Sequence, residues 1–185
     1  MEINKIYLQK EVIDNIKQTF QSSKKIQLQE FFEKEFFCKI KRQVTQAKYK
    51  KYRNPLKYSY SKARLPLRLN SNVIAYILAI TGTKVKKIKF EPYFLSWRDY
   101  TILSDKEKKS SLDIVIDFTK RWDDRYGGLV VYTNNNENFH LAAKSNTLSL
   151  IRTKNTKRFF QYVNHLSNKK GRFFALATLN GPARI

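Results

Sequence analysis

The period of the hydrophobic pattern changes near Gly82, and this change constrains the fold more than any other feature of the sequence. Before Gly82, apolar residues recur at helical spacing within 8–20, 31–47 and 73–80, which predicts three helices, with a short strand over 22–29. After Gly82, short β-branched and aromatic segments alternate with turn residues, which predicts strands. Helices first and strands afterwards predict an α+β fold, with N-terminal helices packed on a C-terminal β sandwich or barrel.

Positive charge is segregated along the chain. The formal net charge is +22; residues 36–90 contain fifteen Lys or Arg and no Asp or Glu, and residues 138–185 contain nine and none. A surface that serves only solubility normally mixes both signs. The segregation therefore predicts a polyanionic partner, although a lysine-rich solvated face without any partner is the simpler alternative.

The basic segment 39–69 interleaves its cations with tyrosines, and Pro55 and Pro66 predict that it is irregular and exposed. Lysine and arginine neutralise phosphates, and tyrosine rings can stack on unpaired bases. No RNP1 motif, KH loop or groove-reading helix is present, so RNA or a ribonucleoprotein is favoured over duplex DNA, without sequence specificity. The predicted nucleic-acid-binding residues are Lys39, Arg42, Lys48, Lys50, Lys51, Tyr52, Arg53, Lys57, Tyr58, Lys62, Arg64 and Arg68. A second basic group could extend this field: Lys154, Lys157, Arg158, Lys169, Lys170 and Arg172.

The stretch LDIVIDFTKRWDDRYGGLVVY joins a buried-type strand, an acidic turn with Trp122, and a Gly127–Gly128 pair that opens another strand. With KKIQLQEFFEKEFFCKI and AYILAITG before it, and SNTLSLI and FFQYVNHLSNKKGRFF after it, the chain resembles the 2-oxoglutarate/Fe(II)-dependent dioxygenases of the prolyl-hydroxylase-like type. The resemblance implies helices followed by a double-stranded β-helix, or jelly roll. It implies a single domain over residues 1–185, in which residues 1–82 are helical and residues 83–185 form the jelly-roll core.

The positions at which that family holds iron carry different residues here. By register, Ser104 occupies the first His position, Lys106 the carboxylate position and Gln161 the distal His position. Ferrous oxygenases need two imidazoles and one carboxylate, and an ammonium repels a divalent cation. Arg172 matches the residue that binds the far carboxylate of 2-oxoglutarate, a contact that suits a guanidinium, although it could equally be a surface or strand-edge arginine.

A shifted register also leaves the triad incomplete. If His165 were the distal ligand, Arg172 would follow after seven residues and the proximal His would still be missing. Asp105 lies one residue from the carboxylate position, on the opposite face of a strand, and His140 has no partner at ligand spacing. The carboxylates of DIVID alternate with apolar residues, which indicates a solvated strand face rather than an acid/base pair.

The sequence leaves more than one function open. The favoured hypothesis is a catalytically degenerate dioxygenase-like protein that binds RNA or a ribonucleoprotein and needs no cofactor. The alternative is an active hydroxylase of a protein or nucleic acid, which would need Fe(II) and 2-oxoglutarate. A third is an interaction module for an acidic protein or anionic lipid, for which no basic amphipathic membrane helix is evident.

Cysteine content and hydropathy bear on localisation. No apolar run reaches the ~18 residues that span a bilayer, and the N-terminus has no signal-peptide core. The single cysteine fits a reducing compartment, so the sequence predicts a cytoplasmic protein. Cys38, within FFCKI, is predicted to be a small buried hydrophobic residue.

Overall fold

The computed structural model describes residues 2–83, 88–103, 110–134, 137–168 and 170–180, which contain both helices and strands. The α-helices of these residues are α1 (Lys10–Ser23), α2 (Lys34–Thr45) and α3 (Ser71–Thr81). None of them has the length and apolar composition that crossing a bilayer requires.

Gly82 ends α3 as the sequence predicts. It adopts a left-handed conformation with φ 66°, and its N–H donates to the Leu78 carbonyl at 2.9 Å. A glycine at this position closes the helix because it has no Cβ to oppose a positive φ. The helix itself buries Val73, Ile77 and Ile80 against the rest of the chain.

A large antiparallel sheet forms the centre of the molecule. Its strand order is β1-β9-β6-β11-β4-β3-β2, and β5 pairs with β3 beside this path. The strands are β1 (Lys25–Gln29), β2 (Tyr49–Asn54), β3 (Tyr58–Ala63), β4 (Glu91–Leu95), β5 (Tyr100–Thr101), β6 (Ser110–Asp117), β9 (Thr147–Ile151) and β11 (Arg172–Asn180). Three of these strands precede α3 in sequence, so residues from both halves of the chain build the sheet.

A smaller sheet has the order β10-β7-β8 and completes the sandwich. Its strands are β7 (Val130–Thr133), β8 (Asn138–Leu141) and β10 (Lys157–Phe160). One hydrophobic cluster lies between the helices and the large sheet, and a second lies between the two sheets. Successive strand residues point to opposite faces, so on β6 Ile114 and Ile116 belong to the first cluster and Val115 to the second.

The basic tyrosine-rich segment is a β-hairpin, and the prediction that it is irregular is wrong. β2 and β3 pair in register, with Tyr52 opposite Tyr60. Pro55 lies in the connection between the strands and Pro66 follows the end of β3, so neither proline has to supply a ladder hydrogen bond. β2 is an edge strand, where lysine side chains hinder pairing with other chains.

Three smaller predictions also need correction. Cys38 is exposed on α2 and is not buried, because it lies on the side of the helix opposite Phe37 and Ile40. The predicted strand in FFQYVNHL ends at Phe160, and the chain then continues into a short 3-10 helix, His165–Ser167. In the predicted strand VKKIKF, residues 85–87 lie outside the described residues, and residues 88–90 form no strand beyond an isolated bridge between Phe90 and Leu67.

Candidate functional site

Arg172, the residue predicted to bind a cosubstrate carboxylate, lies at the start of β11 and is 0% exposed. Its Nη2 and Nε donate to Oδ2 of Asp117 at 2.8 and 3.2 Å. Its Nη1 donates to the Gly128 carbonyl at 2.8 Å. All three nitrogens of the guanidinium therefore already have partners from within the chain.

Asp117 is equally confined. It is 3% exposed at the end of β6, and its Oδ1 accepts from the backbone N–H of Thr119 at 2.8 Å. Its backbone carbonyl accepts from Asn146 at 3.0 Å. Both carboxylate oxygens are thus hydrogen-bonded, and the ion pair with Arg172 is buried on both sides.

A second carboxylate, Asp113, lies four residues before Asp117 on β6 and faces the same interior. It is 1% exposed. It forms an ion pair with Arg158 of β10 and accepts from Tyr132 at 3.1 Å and from Thr178 at 2.8 Å. Burial and the Asp113 carboxylate raise the pKa of Tyr132 well above its ordinary value, so its hydroxyl stays protonated and donates. Burial lowers the pKa of Arg158, but Asp113 together with Tyr132 and Tyr93 outweighs burial, and the pKa is raised.

These contacts correct the interpretation of DIVID as a solvated strand face. Asp113 and Asp117 point into the space between the sheets, where each meets one arginine. Alternating polar residues face water only when one face of a sheet is exposed, and here helices cover one face and the small sheet the other. Arg158 and Arg172 are consequently withdrawn from the second basic group.

Aromatic rings fill the interior between the two sheets. Tyr93 stacks on Phe174 with ring centroids 5.4 Å apart, and Phe160 meets both rings edge-on at 5.3 Å. Tyr60 closes this cluster at 5.6 Å from Tyr93. Burial is the main cause that raises the pKa of Tyr93.

The residues at the predicted metal positions are only partly described. Gln161 lies just after β10 with an exposed side chain, and its backbone exchanges hydrogen bonds with Leu129 and Gly128 at 2.9 and 3.1 Å. It therefore flanks Gly128 together with Arg172. Ser104, Asp105 and Lys106 lie outside the described residues.

Two observations on the described residues bear on the iron centre and the 2-oxoglutarate site that the resemblance implies. They contain no group of three or more His, Cys, Asp or Glu side chains placed to hold a metal ion. His140 lies 3.7 Å from Asp124 as an exposed pair, and His165 is exposed. The arginine that would take the cosubstrate is held by Asp117.

The two glycines of the Gly-Gly strand allow the backbone to pass close to the segment that contains Tyr162 and Val163. Gly127 has φ 73° and ψ −148°, and its carbonyl accepts from the Trp122 indole at 2.9 Å. A Cβ at Gly127 would lie 1.9 Å from the Tyr162 carbonyl oxygen. The close approach of these two backbone segments is what places Gln161 beside Gly128.

We expect Gly127→Ala to lower the free energy of unfolding by more than about 3 kcal/mol, because it combines a glycine-only conformation with a backbone collision. Gly82→Ala is the matched control, since Gly82 also has a positive φ but open space around it. Its expected cost is only about 1 kcal/mol. Urea denaturation of both variants measures the difference, and equal losses would contradict the collision.

The predicted nucleic-acid-binding cations follow the outer side of α2 and the β2–β3 hairpin. Lys51 pairs with the buried Asp99, and Lys62 with Glu91 at 3.3 Å. The N–H of Arg64 donates to the Lys48 carbonyl at 3.1 Å, which joins the ends of the hairpin. Eight of these cations have no acidic partner among the described residues: Lys39, Arg42, Lys48, Lys50, Arg53, Lys57, Arg64 and Arg68.

The tyrosines of the hairpin are engaged within the protein. Tyr52 stacks on Tyr60 at 5.7 Å, and the ammonium groups of Lys50 and Lys62 lie 5.6 and 5.9 Å from its ring. Tyr58 lies 5.4 Å from Tyr60. Tyr52 and Tyr58 are half-buried, so their rings are less open to stacking on bases than the sequence predicts, and their part in nucleic-acid binding stays a prediction.

Two exposed aromatic residues were missed by the sequence analysis. Trp97 and Tyr162 are each 49% exposed, and the Arg98 guanidinium lies 4.3 Å from the Trp97 ring. The N–H of Arg98 donates to the carbonyl of Val163, the residue after Tyr162, at 2.9 Å. This tertiary backbone contact brings the two segments together, so spacing along the sequence gave no signal for them.

Comparison with known proteins identifies the fold. A family profile described as "Oxoglutarate and iron-dependent oxygenase degradation C-term" matches residues 2–71. No curated protein matches the chain in sequence. A 2OG-Fe(II) oxygenase family oxidoreductase from Burkholderia pseudomallei superposes with a TM-score of 0.70 at 11% identity, covering 94% of each chain.

Two prolyl hydroxylases superpose equally well. The enzyme from Trichoplax adhaerens, solved with a hypoxia inducible factor oxygen degradation domain peptide, has a TM-score of 0.71 at 9% identity, covering 92% of this chain and 90% of that chain. The Pseudomonas putida prolyl-4-hydroxylase has a TM-score of 0.69 at 7% identity, covering 92% of this chain and 100% of that chain. The predicted α+β jelly-roll class and the resemblance to this group are confirmed, and the chain has the fold of the 2-oxoglutarate/Fe(II) oxygenases.

Proposed function

We propose that this chain is a non-catalytic form of the 2-oxoglutarate/Fe(II) oxygenase fold that binds nucleic acid, preferably RNA or a ribonucleoprotein, through its basic surface. The proposal has two components that depend on different residues. The non-catalytic component depends on the interior of the sandwich, and the binding component depends on the outside of α2 and the β2–β3 hairpin.

The buried ion pair between Arg172 and Asp117 carries the non-catalytic component. An arginine that binds the far carboxylate of a cosubstrate must be free to accept an anion. Here the guanidinium is already neutralised by Asp117 at 2.8 Å, so a second carboxylate would be forced beside the first in a buried space. Like charges in a site of low dielectric repel strongly, which opposes binding.

The identity of Gln161 adds support for this component. By the predicted register, a primary amide stands in place of the distal imidazole of a ferrous centre, which it does not replace. The charges of Asp113 and Asp117 are matched one to one by Arg158 and Arg172, which leaves neither carboxylate free for a divalent cation.

Eight cations without acidic partners among the described residues support the nucleic-acid component. Phosphate contacts of lysine and arginine supply affinity that does not depend on sequence. The exposed rings of Trp97 and Tyr162, one of them beside Arg98, supply stacking faces for unpaired bases, which favours single-stranded RNA over duplex DNA. α2 packs its Phe37, Ile40 and Val44 side on the sheet and does not project as a groove-reading helix.

The binding component is tested with a labelled single-stranded RNA in fluorescence anisotropy. Replacing Lys50, Arg53 and Lys57 by Gln removes three charges from the hairpin. Replacing Lys5, Lys10 and Lys144 by Gln is the matched control, because it removes the same charge from exposed positions outside that surface. If three phosphate contacts are lost, the slope of log K against log salt concentration should fall by about 2 in the hairpin variant alone.

Equal effects of the two triple variants would contradict a specific basic surface and leave only the attraction of RNA to the net positive charge of the chain.

The non-catalytic component is tested separately, by anaerobic titration with Fe(II) and by assay of succinate formation from 2-oxoglutarate. Succinate formation by the intact chain would overturn it and favour the active hydroxylase.

A further inference from the structure

We infer that Asp117 is a built-in carboxylate ligand, which occupies the guanidinium of Arg172 and closes this position to small carboxylates. The inference rests on the non-catalytic component of the proposed function and does not involve nucleic-acid binding. The Asp117 side chain takes the place beside Arg172 that the carboxylate of a free dicarboxylate would otherwise take.

The register of the sheet explains how the carboxylate reaches the arginine. Asp117 lies opposite Phe174 in the pairing of β6 with β11, and Arg172 lies two residues before Phe174 on the same face. The Arg172 side chain therefore runs alongside Asp117 within the same layer of the sandwich. Its guanidinium lies 5.4 Å from the Phe174 ring, which limits its movement on that side.

The carboxylate is held in place from several directions. Thr119 donates its N–H to Oδ1, and Arg172 donates twice to Oδ2. The Asp117 backbone is paired with Thr147 of β9 on one side and with Phe174 of β11 on the other. A carboxylate fixed in this way has little freedom to swing aside for a competing anion.

Removing the Asp117 carboxylate would leave a space of the size of that group, lined by the Arg172 guanidinium and the Thr119 N–H. Nη1 of Arg172 would remain on the Gly128 carbonyl, which keeps the guanidinium oriented. Acetate and formate carry the missing group and little else. Asp117→Ala should therefore create a small-carboxylate site, whereas Asp117→Asn fills the same volume and should not.

The experiment compares the melting temperature of Asp117→Ala in acetate and in chloride of equal ionic strength at neutral pH. At about ten times its Kd, acetate should raise the Tm by roughly 3–6 °C. The intact protein, Asp117→Asn and the double variant Asp117→Ala/Arg172→Met should show no difference between the two salts. If Asp117→Ala does not fold in chloride, the folded fraction after refolding in acetate replaces Tm, and equal yields in the two salts contradict the inference.

A calorimetric titration of the intact protein with 2-oxoglutarate and with succinate completes the test. We expect no Arg172-dependent binding to the intact chain, and a gain of affinity of at least tenfold in Asp117→Ala. Binding to the intact chain that is lost in Arg172→Met would overturn the inference. Absence of acetate rescue would contradict the inference alone, whereas succinate formation by the intact protein would contradict the proposed function.

Discussion

Replacing Asp117 with alanine should lower the free energy of unfolding by about 3–5 kcal/mol, because the change leaves the Arg172 guanidinium buried without a counter-charge. Arg172 is 0% exposed, and Asp117 accepts two of its three hydrogen bonds. A charge in such surroundings can neither rotate into solvent nor lose its proton. Urea denaturation in chloride buffer measures the loss.

Removing both charges should cost far less than removing one. The double variant Asp117→Leu/Arg172→Met replaces the ion pair by apolar groups of similar length, and such exchanges of buried pairs are often neutral or stabilising. The double variant is therefore expected within about 2 kcal/mol of the intact protein, despite the loss of the Gly128 and Thr119 hydrogen bonds. A double variant that loses as much stability as Asp117→Ala, or more, would show that the two charges are not coupled.

The affinity for single-stranded RNA should fall by a few hundredfold to a thousandfold between 50 and 200 mM salt if six or more phosphates are contacted. The eight cations that lack acidic partners within the described residues are enough to contact six or more phosphates. Each neutralised phosphate releases condensed counterions, and added salt opposes that release. Anisotropy titrations at four or more salt concentrations give the slope from which the number of contacts follows.

Exposed aromatic rings should contribute a share of the affinity that salt does not remove. Replacing Trp97 or Tyr162 by alanine should cost about 1–3 kcal/mol of binding at every salt concentration, with the salt slope unchanged, because stacking involves no counterions. Replacing the exposed Leu56 at the hairpin tip by alanine is the control for a general loss of apolar surface. An affinity that does not change with salt would contradict the phosphate-binding surface altogether.

The three helices and several strands after Gly82 could be predicted from the sequence because they depend on local periodicity. Gly82 marks the end of α3 in both, and the strands in LDIVIDF, GGLVVYT and NTLSLIRT are present. The hairpin β2–β3 could not be predicted, since its stability comes from pairing with β4 and from Tyr60 packing on Tyr93. Pro55 and Pro66 lie in the connection and after the end of β3, so they are compatible with the hairpin but do not by themselves indicate it.

In the candidate site, too, some features could be predicted from the sequence and others depend on the tertiary structure. The sequence shows an arginine at position 172, and it predicts, by register with the family, that Ser104, Lys106 and Gln161 stand where the family holds iron. Whether that arginine is free depends on which face of β6 meets it. Period-two alternation places Asp113 and Asp117 on one face of the strand but does not say whether water or a second sheet lies over that face.

By itself, the sequence determined the class of fold and the segregation of its positive charge, because both depend only on residue identity and order. The tertiary structure decided that Asp117 pairs with Arg172, that Tyr52 stacks on Tyr60, and that Trp97 and Tyr162 carry exposed rings. Those outcomes depend on which segments distant in sequence meet in the sandwich. That meeting is set by packing of the whole chain rather than by any local pattern.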